Sequence, residues 1–220
     1  MKTVVALHTS AALLERIKAL WVKYAIPGKL VNIIDDSLIW EVIDNDGAIV
    51  ETRQRLLHYA KAAEALHADY ILNTCSSVGL VSDMIQPFCS IPIIKIDLPM
   101  ARTAAGLVDV GGVIGVLATL PTTLPPTASL VEAELRNAGK VAKVERYLAT
   151  GAFLKLMAGQ RAEHDAIVIS KAIEVAKCVD VLVLAQGSMA LLEAEIAKLT
   201  GKVVLSSPES GIEQFLQILK

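Results

Sequence analysis

The residues with the clearest capacity for chemistry lie in one short run, Asn73-Thr74-Cys75-Ser76-Ser77. It offers a thiol, three hydroxyls and an amide. A thiol can exchange a proton or attack an electrophile, and hydroxyls beside free backbone N–H groups can hold a carboxylate. Apolar, sheet-compatible Tyr70 to Leu72 precede the run and apolar Val78 to Ile85 follow it. That pattern reads as a buried strand, a sharp polar turn and the start of a helix. Unpaired N–H groups and the helix dipole at such a start favour anions, a thiolate included. Cys75 is therefore expected to have a depressed pKa and to alkylate faster than Cys89 and Cys178, which are expected to be core thiols.

The stretch recurs. Val179 to Ala190 aligns without a gap on Ala68 to Gly79, placing Asp180 on Asp69, Ser188 on Ser77 and Gln186 on Cys75, 111 residues apart. The first copy carries a thiol where the second carries an amide.

The elements that must position these turns also repeat. Thr3 to Leu7 is a strand ending in His8-Thr9-Ser10, with Ser10 placed to cap a helix over Ala11 to Tyr24. Leu30 to Ile34 is a second strand. Asp35 to Glu51 reads as irregular because of its Asp44-Asn45-Asp46-Gly47 turn signal. A helix over Thr52 to His67, the Cys75 strand–turn–helix, a strand over Ile91 to Ile96 and a helix over Met100 to Val108 complete the first round. The second round runs through strands at Val113 to Leu117, Val141 to Glu145, Val181 to Leu184 and Lys202 to Leu205. Its helices cover Leu124 to Ala138, Gln160 to Lys177 and Ile212 to Leu219. The expected architecture is α/β: two pseudo-symmetric three-layer αβα lobes from an internal duplication, each with a four-stranded, mainly parallel sheet. The first lobe is expected to hold residues 1–98 plus 209–220 and the second 99–208. Ligands of parallel sheets bind beyond the C-terminal strand ends. Those ends carry His8, Thr9, Ser10, Asn73, Ser76, Ser77, Thr119, Thr122, Gln186, Gly187 and Ser188, and the halves are expected to face each other across one cleft. Taken singly, each cluster could be no more than a helix cap.

Composition narrows the classes. The 220 residues are 54% hydrophobic but only 4% aromatic, which suits aliphatic helices on buried parallel sheets. A net charge of −2, without a Lys/Arg cluster, gives no reason to expect nucleic acid. There is no run of about 18 apolar residues to span a membrane, and Thr3 to Leu7 is too short for a signal peptide. Three cysteines form no disulfide framework and point to the reducing cytoplasm. Four histidines and three cysteines lack metal-ligand spacing, and Gly106, Gly111, Gly112 and Gly115 do not form a dinucleotide fingerprint. His58 and His67 are expected at the surface, and His164 is expected in a capping or surface role. His8, which ends a central strand, is a candidate site residue.

The chain resembles the aspartate/glutamate/hydantoin racemase superfamily, whose relatives include maleate isomerase and arylmalonate decarboxylase. The resemblance rests on Asn73 to Ser77, on Ile114-Gly115-Val116-Leu117-Ala118-Thr119 with Thr122 and Thr123, and on Leu184-Ala185-Gln186-Gly187-Ser188-Met189-Ala190. It implies an enzyme without cofactor or metal, acting at the carbon next to the carboxylate of a small acid or amino acid. It also implies Cys75 as acid/base or nucleophile, with Thr9, Ser10, Asn73, Ser76, Ser77, Thr119, Thr122, Gln186, Gly187 and Ser188 binding substrate. In the family two thiols flank the reacting carbon, whereas here the second is Gln186. A one-thiol isomerase is expected. The alternatives are a single-cysteine decarboxylase, lyase or hydrolase, an enzyme whose second acid/base is His8, or a non-catalytic small-acid-binding protein. Self-association into a homo-oligomer is compatible with each.

Overall fold

The computed structural model describes all residues, 1–220. In chain order the elements are β1 (Thr3–His8), α1 (Leu14–Lys23), β2 (Lys29–Ile34), α2 (Ser37–Asp44), α3 (Val50–Ala65), β3 (Tyr70–Asn73), α4 (Gly79–Ile85), β4 (Ile93–Lys95) and α5 (Leu98–Leu107). They continue with β5 (Val113–Ala118), α6 (Leu124–Asn137), β6 (Lys143–Leu148), α7 (Ala152–Met157), α8 (Arg161–Val175), β7 (Val181–Leu184), α9 (Glu193–Thr200), β8 (Val203–Ser206), α10 (Ser207–Glu213) and α11 (Phe215–Ile218).

The chain divides into two compact units, residues 1–98 with 208–220, and residues 99–207. Each contains a four-stranded sheet, in the orders β2-β1-β3-β4 and β6-β5-β7-β8. Every strand pair is parallel. In the first unit successive residues of the central strands face opposite layers. Val5, Leu7 and Ile71 pack with Leu38, Val42, Leu56 and Ala60 from α2 and α3. Val4, Ala6 and Leu72 pack with Ile17, Leu20, Ile212 and Phe215. Both faces are thus covered, as an all-parallel sheet requires. The C-terminal segment supplies part of that cover: the Phe215 ring lies 5.6 Å from that of Trp21. In the second unit Leu117, Leu182 and Leu184 pack with Val168, Ala172 and Val175 of α8 and Ile196 of α9.

The two units repeat one clamp. Asp69 accepts a hydrogen bond at its carboxylate from the Thr3 N–H at 2.8 Å, while its own N–H donates to the Thr3 carbonyl. Asp180 does the same with Val113, again at 2.8 Å. Each clamp fixes the start of the third strand of its unit against the start of the first, and so sets the register in which the two strand ends meet.

Three sequence expectations need correction. The segment after β2 is not irregular: it contains α2, whose Leu38, Ile39 and Val42 are buried at helical spacing. The Asp35 carboxylate starts this helix by accepting from the Ser37 N–H and hydroxyl. The strand expected over Val141 to Glu145 is β6, later in the chain, and leaves Val141 exposed. The short helix α7 was not anticipated.

One contact is unusually close. A Cβ on Gly211 of α10 would lie 2.2 Å from the Ile96 carbonyl oxygen, whereas one on Gly106 of α5 would meet nothing within 4 Å. Gly211 therefore lets α10 lie directly on the backbone just beyond β4. Gly211→Ala is expected to cost about 1–3 kcal/mol or more through overpacking. Gly106→Ala is expected to stabilise by about 0.4–1 kcal/mol by restricting the unfolded chain. Urea unfolding of the two variants checks the contrast.

Candidate active site

The Cys75 turn is built by side chains bonding to backbone. Ile96 N–H donates to the Asn73 carbonyl at 3.0 Å, extending the β3–β4 pairing to the turn. Asn73 is buried; its Oδ1 accepts from the Cys75 N–H at 3.0 Å and its Nδ2 donates to Ser82 Oγ at 2.9 Å. Its amide is thus spent on holding Cys75 at the entry to the next turn, with Cys75 in extended conformation (φ −122°). The thiol receives hydrogen bonds from the Thr9 and Ser77 side chains and from the Ser77 and Val78 N–H groups. Burial nevertheless dominates and pushes the Cys75 thiol up from its ordinary value, with those donors opposing it. This corrects the expectation of a depressed pKa. N–H donors at a helix start lower a thiol's pKa only if they outweigh its desolvation. Here the helical start is a single 3-10 turn, Ser76–Val78, before α4.

Around this centre His8 is buried, 2% exposed. Its Nε2 lies 2.9 Å from Asn32 Oδ1 and its Nδ1 3.0 Å from Thr74 Oγ1. Both ring nitrogens thus face polar partners; the Thr74 hydroxyl, which has one proton, also lies 3.0 Å from the Leu7 carbonyl and donates there. Burial pushes the His8 pKa down, with the Asn32 bond opposing. Ser10 caps the turn at Ala11–Leu13 by accepting from the Ala12 N–H at 3.4 Å. The Ser76 hydroxyl shares a hydrogen bond with the carboxyl of Asp97, which is 3% exposed.

In the second unit Gln186 occupies the equivalent strand end, before the 3-10 turn Gly187–Leu192. Its Oε1 accepts from the Thr119 N–H and from Thr119 Oγ1 at 2.9 Å. A backbone N–H can only donate, so the atom facing it is the oxygen, and the NH2 end of the amide remains as a donor. The pairing of Thr119 with Gln186 repeats that of Thr9 with Cys75. Ser188 is held from outside the turn: Arg161 Nη2 donates to its carbonyl at 3.0 Å, and Arg161 Nε donates to Asp165 at 2.8 Å. Thr122 is buried and its Oγ1 has no partner.

The remaining candidates divide. His58 and His67 are exposed. His164 is not at the surface: it is fully buried, with Nδ1 2.6 Å from Asp165 Oδ1, because it begins the buried stripe His164, Val168, Ala172, Val175 of α8. Cys89 is half-buried against the core, but Cys178 is exposed, in the turn that follows α8. Sequence reasoning missed Asp97 and Arg161. Asp97 could have been found as the acid closing a strand that neighbours β3; Arg161 gave no signal, since it reaches a turn 27 residues later. No three His, Cys, Asp or Glu side chains converge as a metal site, and no helix is long and apolar enough to cross a membrane.

Paired four-stranded parallel units with hydroxyl-rich turns at the same strand ends define a class, the two-lobed α/β fold of the glutamate racemases. The fold is similar to that of the glutamate racemase isoform RacE1 of Bacillus anthracis (TM-score 0.76, 21% identity, covering 99% of this chain and 81% of that one). It is similar also to the aspartate racemase of Picrophilus torridus (0.67, 13%, 99% and 94%) and the allantoin racemase of Klebsiella pneumoniae (0.66, 14%, 100% and 88%). No curated protein matches the sequence. The chain belongs to the Asp/Glu/Hydantoin racemase family, which it matches over residues 3–215.

The His8 setting predicts a pH dependence of stability. Its folded pKa lies below the ordinary 6.5. Between those two values the unfolded chain binds more protons, so stability rises with pH through the window and is lost as pH falls below about 6.5. Urea midpoints at about pH 5 and pH 7.5 should differ less in His8→Gln than in the wild type. An unchanged difference would remove His8 as the cause.

Proposed function

We propose that the protein is a cofactor-independent enzyme of isomerase type that acts at the carbon next to the carboxylate of a small acid, with Cys75 as its acid/base. The observation that carries this reading is the Cys75 thiol itself, half-buried at a strand end and ringed by Thr9, Ser77 and two backbone N–H groups. A carbon acid next to a carboxylate is very weak. A thiol of raised pKa is the stronger base once ionised and, while neutral, holds a proton ready to deliver. The surrounding donors suit the charge that develops on the carboxylate as the α-proton leaves. Relatives named as glutamate, aspartate and allantoin racemases support this reaction class.

Gln186 sets the limits of the chemistry. Its carbonyl is committed to Thr119, and its NH2 group donates hydrogen bonds but is no base. We assign it to substrate binding. One thiol then serves one face of the carbon, and the product is of one hand. We assign His8, whose two nitrogens lie against Asn32 and Thr74, to orienting those groups, with a second acid/base role as the alternative. The neutral resting thiol favours one second reading, a decarboxylase-type lyase in which Cys75 protonates an enediolate.

Deuterium uptake from D2O into a panel of small carboxylic acids, followed by NMR, tests the proposal. Wild type should label the α-carbon of at least one acid. Cys75→Ser should be about 10²–10⁴-fold slower, the usual contribution of a positioned acid/base, while Cys89→Ala and Cys178→Ala stay near wild type. Uptake by Cys75→Ser at the wild-type rate would refute the assignment. Gln186→Cys should gain detectable racemisation, and Gln186→Ala should mainly raise KM. A loss of turnover in Gln186→Ala as severe as in Cys75→Ala would place the amide in the chemistry itself.

A further inference from the structure

Asp97 is a buried carboxyl for which neither the fold nor the proposed reaction yet accounts. It follows β4, next to the strand that ends in the Cys75 turn. Its partners are the hydroxyl of Ser76, one residue beyond the thiol, and its own backbone N–H, and both residues are buried. Ile96, immediately before it, is fixed by its bond to Asn73 and by the close approach of Gly211. The carboxyl is therefore held in place and largely out of water.

The charges around it do not neutralise it. On its own strand Lys95 donates to both oxygens of Asp83 of α4, at 2.9 and 2.8 Å, so those two pair with each other. On α10 Glu209 is tied to Lys23 and Tyr24, and Glu213 is exposed. On the β3 turn the nearest titratable group in sequence is Cys75. Burial pushes the Asp97 pKa up, opposed by Ser76, by its own backbone N–H and by Lys95, with Asp83 adding a smaller push upward.

A serine hydroxyl has one proton to donate. If Asp97 is ionised, it can only accept, and Ser76 must direct that proton to Asp97, leaving lone pairs toward any bound anion. If Asp97 is protonated, it can donate to Ser76 Oγ, and the serine proton is free to point at a carboxylate beside Cys75. We propose that Asp97 is a positioning residue that sets the donor direction of Ser76 and so makes the Cys75 turn selective for a carboxylate. This rests on the reading that the turn receives the carboxylate of a small acid.

The probe pair is iodoacetate and iodoacetamide, which attack the same thiolate and differ in bearing a carboxylate or an amide. Their rate ratio at Cys75, measured by peptide mass spectrometry and divided by the same ratio at exposed Cys178, cancels the thiol's own ionisation. In the wild-type protein the normalised ratio should fall about tenfold with rising pH as Asp97 ionises above the ordinary carboxylate range, the worth of one hydrogen bond to a charged group. In Asp97→Asn, whose NH2 donates to Ser76 at every pH, the ratio should stay high and flat. In Ser76→Ala it should be flat at the low, high-pH level. A flat wild-type profile, an Asp97→Asn profile that falls like the wild type, or a Ser76→Ala ratio as high as the wild type at low pH would overturn the proposal. If these ratios behave as expected while Cys75→Ser leaves deuterium uptake unchanged, the role of Asp97 stands and the assignment of the chemistry to Cys75 falls.

Discussion

Desolvation of the polar turn that follows β3 is the constraint on which the site depends. A half-buried thiol, a buried carboxyl and a buried imidazole lie at neighbouring strand ends of the first unit, and each is pushed toward its neutral form by desolvation. Buried polar groups of this kind are tolerated only when they are hydrogen-bonded. The partners all come from the same unit: Thr9 and Ser77 for Cys75, Ser76 for Asp97, Asn32 and Thr74 for His8. The parallel sheet, covered on both faces, leaves its strand ends as the one place where such a cluster can form.

The two units solve the same geometric problem with different chemistry. Each has an aspartate clamping the start of its third strand to the start of its first, and each has a threonine at the end of the first strand that bonds the residue opening the next turn. In the first unit that residue is a thiol, able to take and give a proton. In the second it is an amide whose carbonyl is already occupied, able only to donate. The difference lies in one side chain and not in the backbone, which follows the same strand order on both sides.

Much of this was legible in sequence. The strand preceding Cys75 and its counterpart before Gln186 stand out because apolar runs end abruptly in polar turns, and β7 has the bounds its residues suggest. Helix α2 was hidden because its short apolar stripe sits among Asp, Asn and Gly, whose turn preference is the stronger local signal. Arg161 was hidden because its contact is made at long range; Asp97 was marked by its place at a strand end, although its burial was not. The direction of the Cys75 shift was missed for a related reason. Donors at a helix start can be counted along the chain, but the loss of water that outweighs them comes from side chains distant in sequence. His164 shows the same limit, since only the packing of α8 reveals which of its faces is covered.

The proposed chemistry rests on a half-buried, neutral thiol as its acid/base, and the titration of that thiol tests it most directly. With Cβ-labelled cysteine, the NMR shift of Cys75 can be followed against pH in the folded protein, its assignment fixed by Cys75→Ser. The account predicts a midpoint above the ordinary thiol value of 9.0. A midpoint at or below neutrality would mean that the donors of Thr9, Ser77 and Val78 outweigh burial, and that Cys75 rests as a thiolate.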